Sequence, residues 1–185
     1  MILNVRGTSG SGKSTLAREI MTLYGGTRLN FKEEGRKRPL GYLLRAANHR
    51  PLAVVGSYES SCGGCDTINC YDRCFALARE SHGTGCDVLM EGLLLSEETQ
   101  RTIKLHNEGI PLVVIHLQVD IEQCITDVKA RREAAGNLRP LVENNTRRRV
   151  AVIERAVGRL REAGVTVFAG GREYCAGVAQ EVLGL

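Results

Sequence analysis

Gly7-Thr8-Ser9-Gly10-Ser11-Gly12-Lys13-Ser14-Thr15 decides how this chain is read. The run fits the pattern G-x-x-x-x-G-K-[ST], and its flanks are the ones that pattern needs. Ile2-Leu3-Asn4-Val5 before it reads as a short buried strand, and Leu16-Ala17-Arg18-Glu19-Ile20-Met21 after it opens a helix. A strand, a Gly-rich turn and a helix N-terminus bring several backbone N–H groups to one point, where the helix dipole adds positive potential. A nucleoside triphosphate is the expected ligand. All of residues 7–15 are candidate nucleotide contacts. Lys13 would reach the β- and γ-phosphates, the Ser14 hydroxyl would bind Mg²⁺, and Thr15 is a further phosphate ligand.

Outward from this loop, apolar runs alternate with helical patterns. Leu52-Ala53-Val54-Val55-Gly56, Asp87-Val88-Leu89-Met90-Glu91-Gly92, Pro111-Leu112-Val113-Val114-Ile115-His116-Leu117 and Val165-Thr166-Val167-Phe168 read as core strands. Pro39-Leu40-Gly41-Tyr42-Leu43-Leu44-Arg45 reads as a further strand or a short helix, with the strand favoured, and the rest of 27–50 carries no clear period. A helix is expected to start near Asp66 or Thr67 and to carry Ile68, Tyr71, Phe75 and Ala78 on one face. Ser96 is expected to cap another that runs to Asn107. Asp120 and Gln123 form a capping-box-like start, and Val150, Ile153, Val157 and Leu160 mark a long helix. Continuously apolar strands alternating with helices predict a three-layer α/β sandwich of the P-loop NTPase type, with a mainly five-stranded parallel sheet. The 185 residues are expected to form a single domain, with a lid near 129–149.

Composition sets outer limits. Hydrophobic residues make up 43% of the chain, enough for an ordinary globular core, and no apolar run reaches the length of a membrane span. A core strand beginning at Met1 leaves no room for a signal peptide, so a cytoplasmic location with seven reduced cysteines is expected. The net charge of +4 is modest, but its distribution is uneven. Arg28, Lys32, Arg36, Lys37, Arg38, Arg45 and Arg50 fall in one stretch, opposed by Glu33 and Glu34; it is either a solvated face or a contact for a polyanionic substrate.

The D-x-x-G and N-K-x-D motifs of GTPases and the L-S-G-G-Q motif of transporter ATPases do not occur, and the strand over 87–91 ends in Glu-Gly rather than Asp-Glu. These absences favour a small kinase. The span from Asp120 to Arg132, followed by a polar segment and Arg147-Arg148-Arg149, resembles the lid of nucleoside monophosphate kinases. Arg131 and Arg132, then Arg148, are the candidates to meet the transferring phosphoryl group, since guanidinium donors suit its equatorial oxygens. A hydroxyl acceptor also needs a carboxylate nearby. Asp66 is the favoured base or orienting group, with a helix cap as its alternative. Glu91 could organise Mg²⁺ or act as the base, and Glu59 reads as a solvated loop residue. Cys62, Cys65, Cys70 and Cys74 have a spacing that zinc could use, against the alternative of small buried side chains.

The P-loop, the run Val55-Gly56-Ser57-Tyr58-Glu59 with Cys62-Gly63-Gly64-Cys65-Asp66, and Val88-Leu89-Met90-Glu91-Gly92 together resemble a group of small bacteriophage P-loop kinases, the 5-hydroxymethyluracil DNA kinases. The resemblance runs in order along nearly the whole chain. It implies ATP as donor, Mg²⁺ as cofactor and a modified base within phage DNA as acceptor, in the cytoplasm of an infected host. A base taken out of the stack needs an aromatic wall, for which Tyr58, Tyr42 and Phe31 are candidates. Two other readings stay open: a kinase for a free nucleoside or nucleotide, and a nucleotide-dependent binding protein. Gly170-Gly171-Arg172 is a candidate adenine loop by analogy. The sequence leaves the oligomeric state open.

Overall fold

β1 (Ile2–Arg6) lies in the middle of a seven-stranded sheet of order β2-β3-β4-β5-β1-β6-β7. The computed structural model describes residues 1–137 and 139–185. The remaining strands are β2 (Thr27–Phe31), β3 (Gly41–Arg45), β4 (Leu52–Val55), β5 (Asp87–Glu91), β6 (Leu112–Leu117) and β7 (Thr166–Gly170). Five of them, β4-β5-β1-β6-β7, are parallel neighbours. These are the five parallel strands expected; β3, read as a further strand, and β2 extend the sheet beyond β4 as an antiparallel pair, and β2 alone is new. β2 escaped detection because it is a sheet edge. Four of its five residues are exposed, and no apolar alternation marks it.

The helices are α1 (Lys13–Tyr24), α2 (Tyr71–Gly83), α3 (Leu93–Glu97), α4 (Gln100–Asn107), α5 (Ile121–Ala134), α6 (Glu143–Glu162) and α7 (Arg172–Leu183). They cover both faces of the sheet. Ile2, Val88, Met90 and Val114 meet Phe75 and Ala78 of α2, Leu95 of α3, Leu105 of α4 and Leu160 of α6. Leu3, Val5, Leu89 and Ile115 meet Leu16, Ala17 and Ile20 of α1 and Cys175 and Ala179 of α7. Each such side chain, fully buried, contributes roughly 1.5–3 kcal/mol relative to exposure. That is why the parallel strands read as unbroken apolar runs.

Two helix starts differ from expectation. Cys65–Thr67 is a single 3-10 turn, and the chain breaks again at Asn69, whose φ is 58°, before α2 begins at Tyr71. Ser96 caps nothing. It is buried inside α3, where its hydroxyl accepts from Gly7 N–H at 3.1 Å and donates to Gly92 O at 2.7 Å. α4 has Thr99 at its N-cap position, and the carboxylate of Glu98 just before it accepts from the N–H groups of Arg101 (2.6 Å) and Thr102 (3.2 Å).

At the last position of β1, Arg6 is fully buried and donates to Ser96 O (3.3 Å), Glu98 O (2.5 Å) and Thr102 Oγ1 (2.7 Å). Burial pulls its guanidinium down to about 10, with Glu98 opposing. The strand that carries the P-loop is thereby tied to α3 and α4.

Candidate active site

The parallel register brings the pieces together. Val5 pairs with Glu91, so the carboxylate that ends β5 stands beside the start of the P-loop. A cleft of about 470 Å³ opens there, at the carboxyl ends of the strands, where open α/β sheets bind their ligands. Ser9, Gly10, Gly12, Lys13, Ser14 and Thr15 line its floor. Ser61, Cys62, Gly63 and Asp66 line one wall, and Asp127, Ala130 and Arg131 of α5 with Arg172 of α7 line the other. Gly7, Thr8 and Ser11 lie behind the loop; Ser11 is fully buried, and its hydroxyl has no partner among the described residues. Gly10 is required by close approach as well as by its φ of +82°: a Cβ there would come within 2.1 Å of Cys124 O in α5.

Lys13 is buried, and its ammonium donates to Gly7 O at 2.8 Å and Thr8 O at 2.9 Å. Burial lowers its pKa, while Glu91 and Asp66 pull it back up. Ser14 Oγ donates to Glu91 Oε1 at 2.8 Å. Glu91 is 1% exposed, and burial pushes its carboxyl above the ordinary value, against the pull of Lys13 and the Ser14 hydrogen bond. Gly64 presses against it: with φ at +75°, a Cβ there would meet Glu91 Oε1 at 2.5 Å. The glycines of the Cys62–Cys65 loop thus let the loop reach the carboxylate.

Asp66 faces the cleft and also caps a helix, though not its own. Its Oδ2 accepts from Leu93 N–H at 2.7 Å and its Oδ1 from Leu94 N–H at 3.2 Å, holding the start of α3. Asp66→Ala should therefore cost about 1 kcal/mol, read as a fall of roughly 2–4 °C in the thermal midpoint. An unchanged midpoint would contradict the capping role.

The candidate arginines separate. Arg131 lines the cleft. Arg132 turns away and donates to Arg139 O at 2.8 Å and Asn137 Oδ1 at 3.4 Å. Arg148 is exposed on α6 and is not in the cleft lining. Its neighbours are engaged elsewhere, Arg147 with Glu122 and Glu143, and Arg149 with Glu97 at 3.0 Å. The expected lid span 129–149 includes Leu138, which lies outside the described residues.

The aromatic wall expected from Tyr58, Tyr42 and Phe31 does not form, since none of the three lines the cleft. Tyr42 is 1% exposed, and its hydroxyl accepts from Tyr58 N–H at 2.9 Å. Phe31 packs against the core. Among the described residues no three His, Cys, Asp or Glu side chains converge as metal ligands. Cys65 and Cys74 are buried, while Cys62 and Cys70 are exposed.

One residue of the site carried only an analogical signal. Arg172 lies across the P-loop, its Nε donating to Ser11 O at 3.0 Å and its Nη2 to Gly10 O at 2.8 Å, and it pairs with Asp127 Oδ2 at 2.5 Å. Asp127 was not singled out in the sequence at all.

No family model matches the chain. Among curated proteins it is 40% identical over 173 residues to the 5-hmdU DNA kinase of Pseudomonas phage PaMx11, a match spanning 93% of this chain and 91% of that protein. The chain belongs to this kinase family. It is also 24% identical over 190 residues to the 5-hmdU DNA kinase of Delftia phage PhiW-14, across 95% of this chain and 69% of that protein. Among solved structures it resembles deoxyadenosine kinase from M. mycoides. The form with products dCMP and dCDP gives a TM-score of 0.52 at 16% identity, covering 100% of this chain and 98% of that one. The form with bound dCTP gives 0.50 at 16%, covering 100% and 99%. At that identity the likeness shows the P-loop kinase fold. Family and fold together make this chain a kinase, which excludes a binding protein without turnover. Among the described residues no helix is long and apolar enough to cross a membrane.

Proposed function

We propose that this kinase transfers the γ-phosphate of ATP to the 5-hydroxymethyl group of 5-hydroxymethyluracil within DNA, in the cytoplasm of a phage-infected cell. The 40% identity over 93% of the chain to a kinase of that name carries the acceptor assignment. The buried Glu91 beside the P-loop supports the chemistry.

In this reading the N–H groups of residues 9–15 hold the phosphates, and Lys13 leaves the carbonyls of Gly7 and Thr8 to donate to the β- and γ-phosphates. Ser14 Oγ and Glu91 Oε1, 2.8 Å apart, are a hydroxyl and a carboxylate, the hard oxygen donors that Mg²⁺ takes. Ser14 would hold the ion directly, with Glu91 Oε1 behind it; when bound, Mg²⁺ neutralises charge on the phosphate oxygens. Glu91 accepts the proton of the hydroxymethyl group as its oxygen bonds to the γ-phosphorus and the bond to the β-phosphate oxygen breaks, releasing ADP. A carboxyl raised by burial is better matched to that proton than an ordinary one. Arg131 donates to the equatorial oxygens, and a lid arch made by α5 and the first turn of α6 keeps water out. Asp66 orients the acceptor wall through its hold on α3.

Labelled ATP offered in parallel to duplex DNA containing 5-hydroxymethyluracil, to unmodified DNA and to a pool of free nucleosides and nucleoside monophosphates tests the acceptor. Label in the modified DNA alone is the expected result. Label in the free pool alone would overturn the DNA assignment and leave a nucleoside or nucleotide kinase.

A further inference from the structure

The hairpin at the sheet edge divides the basic stretch in two. β3 runs antiparallel to β4, with Gly41 opposite Val55, and Phe31 of β2 lies opposite Gly41. The connection 32–40 therefore sits at the carboxyl end of β4, the end that carries the cleft. Two hydrogen bonds fasten it to the loop that walls the cleft: Gly56 N–H donates to Leu40 O at 2.7 Å, and Arg36 Nη2 donates to Thr67 O at 3.1 Å. Arg45 and Arg50 are at the other end. Arg45 pairs with Thr27 at the far end of the hairpin, and Arg50, just before β4, donates to Gly85 O.

The cleft end thus keeps Lys32, Lys37 and Arg38, all exposed. Among the described residues none of the three has a carboxylate within 4.0 Å, whereas Glu33 in the same turn is engaged by Arg36 (3.9 Å) and Arg73 (3.7 Å). The other acids of these segments are Glu34 in the turn and Glu59 in the adjoining loop, both exposed. Three unengaged cations on a turn braced to the acceptor wall match the repeating charge of a nucleic-acid backbone better than a single free nucleotide, whose phosphates the P-loop already accommodates.

We propose that the β2–β3 turn is a backbone rail: Lys32, Lys37 and Arg38 contact phosphates of the DNA that flanks the target base, while Arg45 and Arg50 do not touch it. The proposal rests on the DNA acceptor assigned above. Three phosphate contacts give a log–log salt slope of about −2.7, or roughly a 40-fold loss of affinity between 50 and 200 mM salt.

The test compares the wild-type protein, a K32Q/K37Q/R38Q variant and an R45Q/R50Q variant on duplex DNA containing 5-hydroxymethyluracil, reading kcat/KM for DNA across that salt range and KM for ATP. Thermal midpoints confirm that both variants fold. The rail predicts that the ratio of wild-type to triple-variant kcat/KM for DNA falls about 40-fold between 50 and 200 mM salt, as the variant's slope flattens by nearly three. Its KM for ATP should stay the same, and R45Q/R50Q should keep the wild-type slope. A triple variant with the wild-type slope, or an R45Q/R50Q variant that loses as much, overturns the rail and leaves the DNA kinase standing. A wild-type protein that labels no DNA overturns both.

Discussion

Lys13→Ala should abolish phosphoryl transfer, with kcat falling by at least about 10²–10³-fold, the usual consequence of removing one donor aimed at developing charge in a dry site. The expectation comes from where the ammonium sits. It is 7% exposed and is held by two carbonyls of its own loop, Gly7 O and Thr8 O. Triphosphate offers it stronger, charged acceptors at the same place. The substitution removes one hydrogen bond from each carbonyl without stranding either, since Gly7 O still accepts from Ser96 Oγ at 3.2 Å and Thr8 O from Ser11 N–H at 3.2 Å. A melting curve of the variant should accompany the assay, and Lys13→Met, which restores the bulk without the charge, separates loop collapse from lost chemistry. Both variants should be inactive and should bind ATP weakly in titration calorimetry. Full activity in either would sink the assignment of residues 7–15 as the nucleotide loop.

Glu91→Gln should lower kcat by about 10²–10⁴-fold, the range for loss of a general base, with the fold intact or strengthened. Burial raises the Glu91 carboxyl above its ordinary 4.5, so the folded protein holds this proton at pH values where the unfolded chain has released it. Its contribution to stability is therefore fully present below the ordinary value and is lost as pH rises through the raised one. Gln does not titrate. The melting temperature of the variant relative to the wild type should thus climb with pH across that window and stay higher above it. Activity and stability move in opposite directions, which a residue kept for packing would not do. If kcat survives the substitution, the proton goes elsewhere, and Asp66, Asp127 and Glu19 are the other carboxylates that line the cleft.

How much of this was legible beforehand depends on the distance over which each feature is encoded. The P-loop is contiguous, and its strand and helix flank it within a few residues, so pattern and context agreed. The core strands were plain because burial on both faces leaves them uniformly apolar. Ser96 misled because Ser-Glu-Glu-Thr resembles a helix start. What decides its place is the backbone of Gly7, 89 residues away, which a local pattern cannot carry. Arg131 and Arg132 are neighbours in sequence, but one step along a helix turns the side chain by about 100°, so one lines the cleft and the other faces the turn after α5. Tyr42 is a candidate wall for a base because it is aromatic. Its side chain packs into the core instead, 1% exposed, and Arg28 lies 4.9 Å over its ring. Arg172 is 161 residues from the serine whose carbonyl it holds, a pairing that only the assembled fold creates.

Arg172 also joins the P-loop to α5. The same guanidinium grips the P-loop through two backbone carbonyls and the arch through Asp127. These ties are unequal in kind. The grip on Gly10 and Ser11 is to fixed main chain, but the link to α5 is an ion pair whose side chains are 45% and 34% exposed, a class worth about 0–1 kcal/mol, comparable to thermal energy. The arginine therefore behaves as a latch with one fixed end. In the lid reading proposed above, opening would break this outer link while the grip on Gly10 and Ser11 keeps the phosphate cradle in shape. Because salt screens such a pair, ionic strength should loosen the arch before it disturbs the fold beneath.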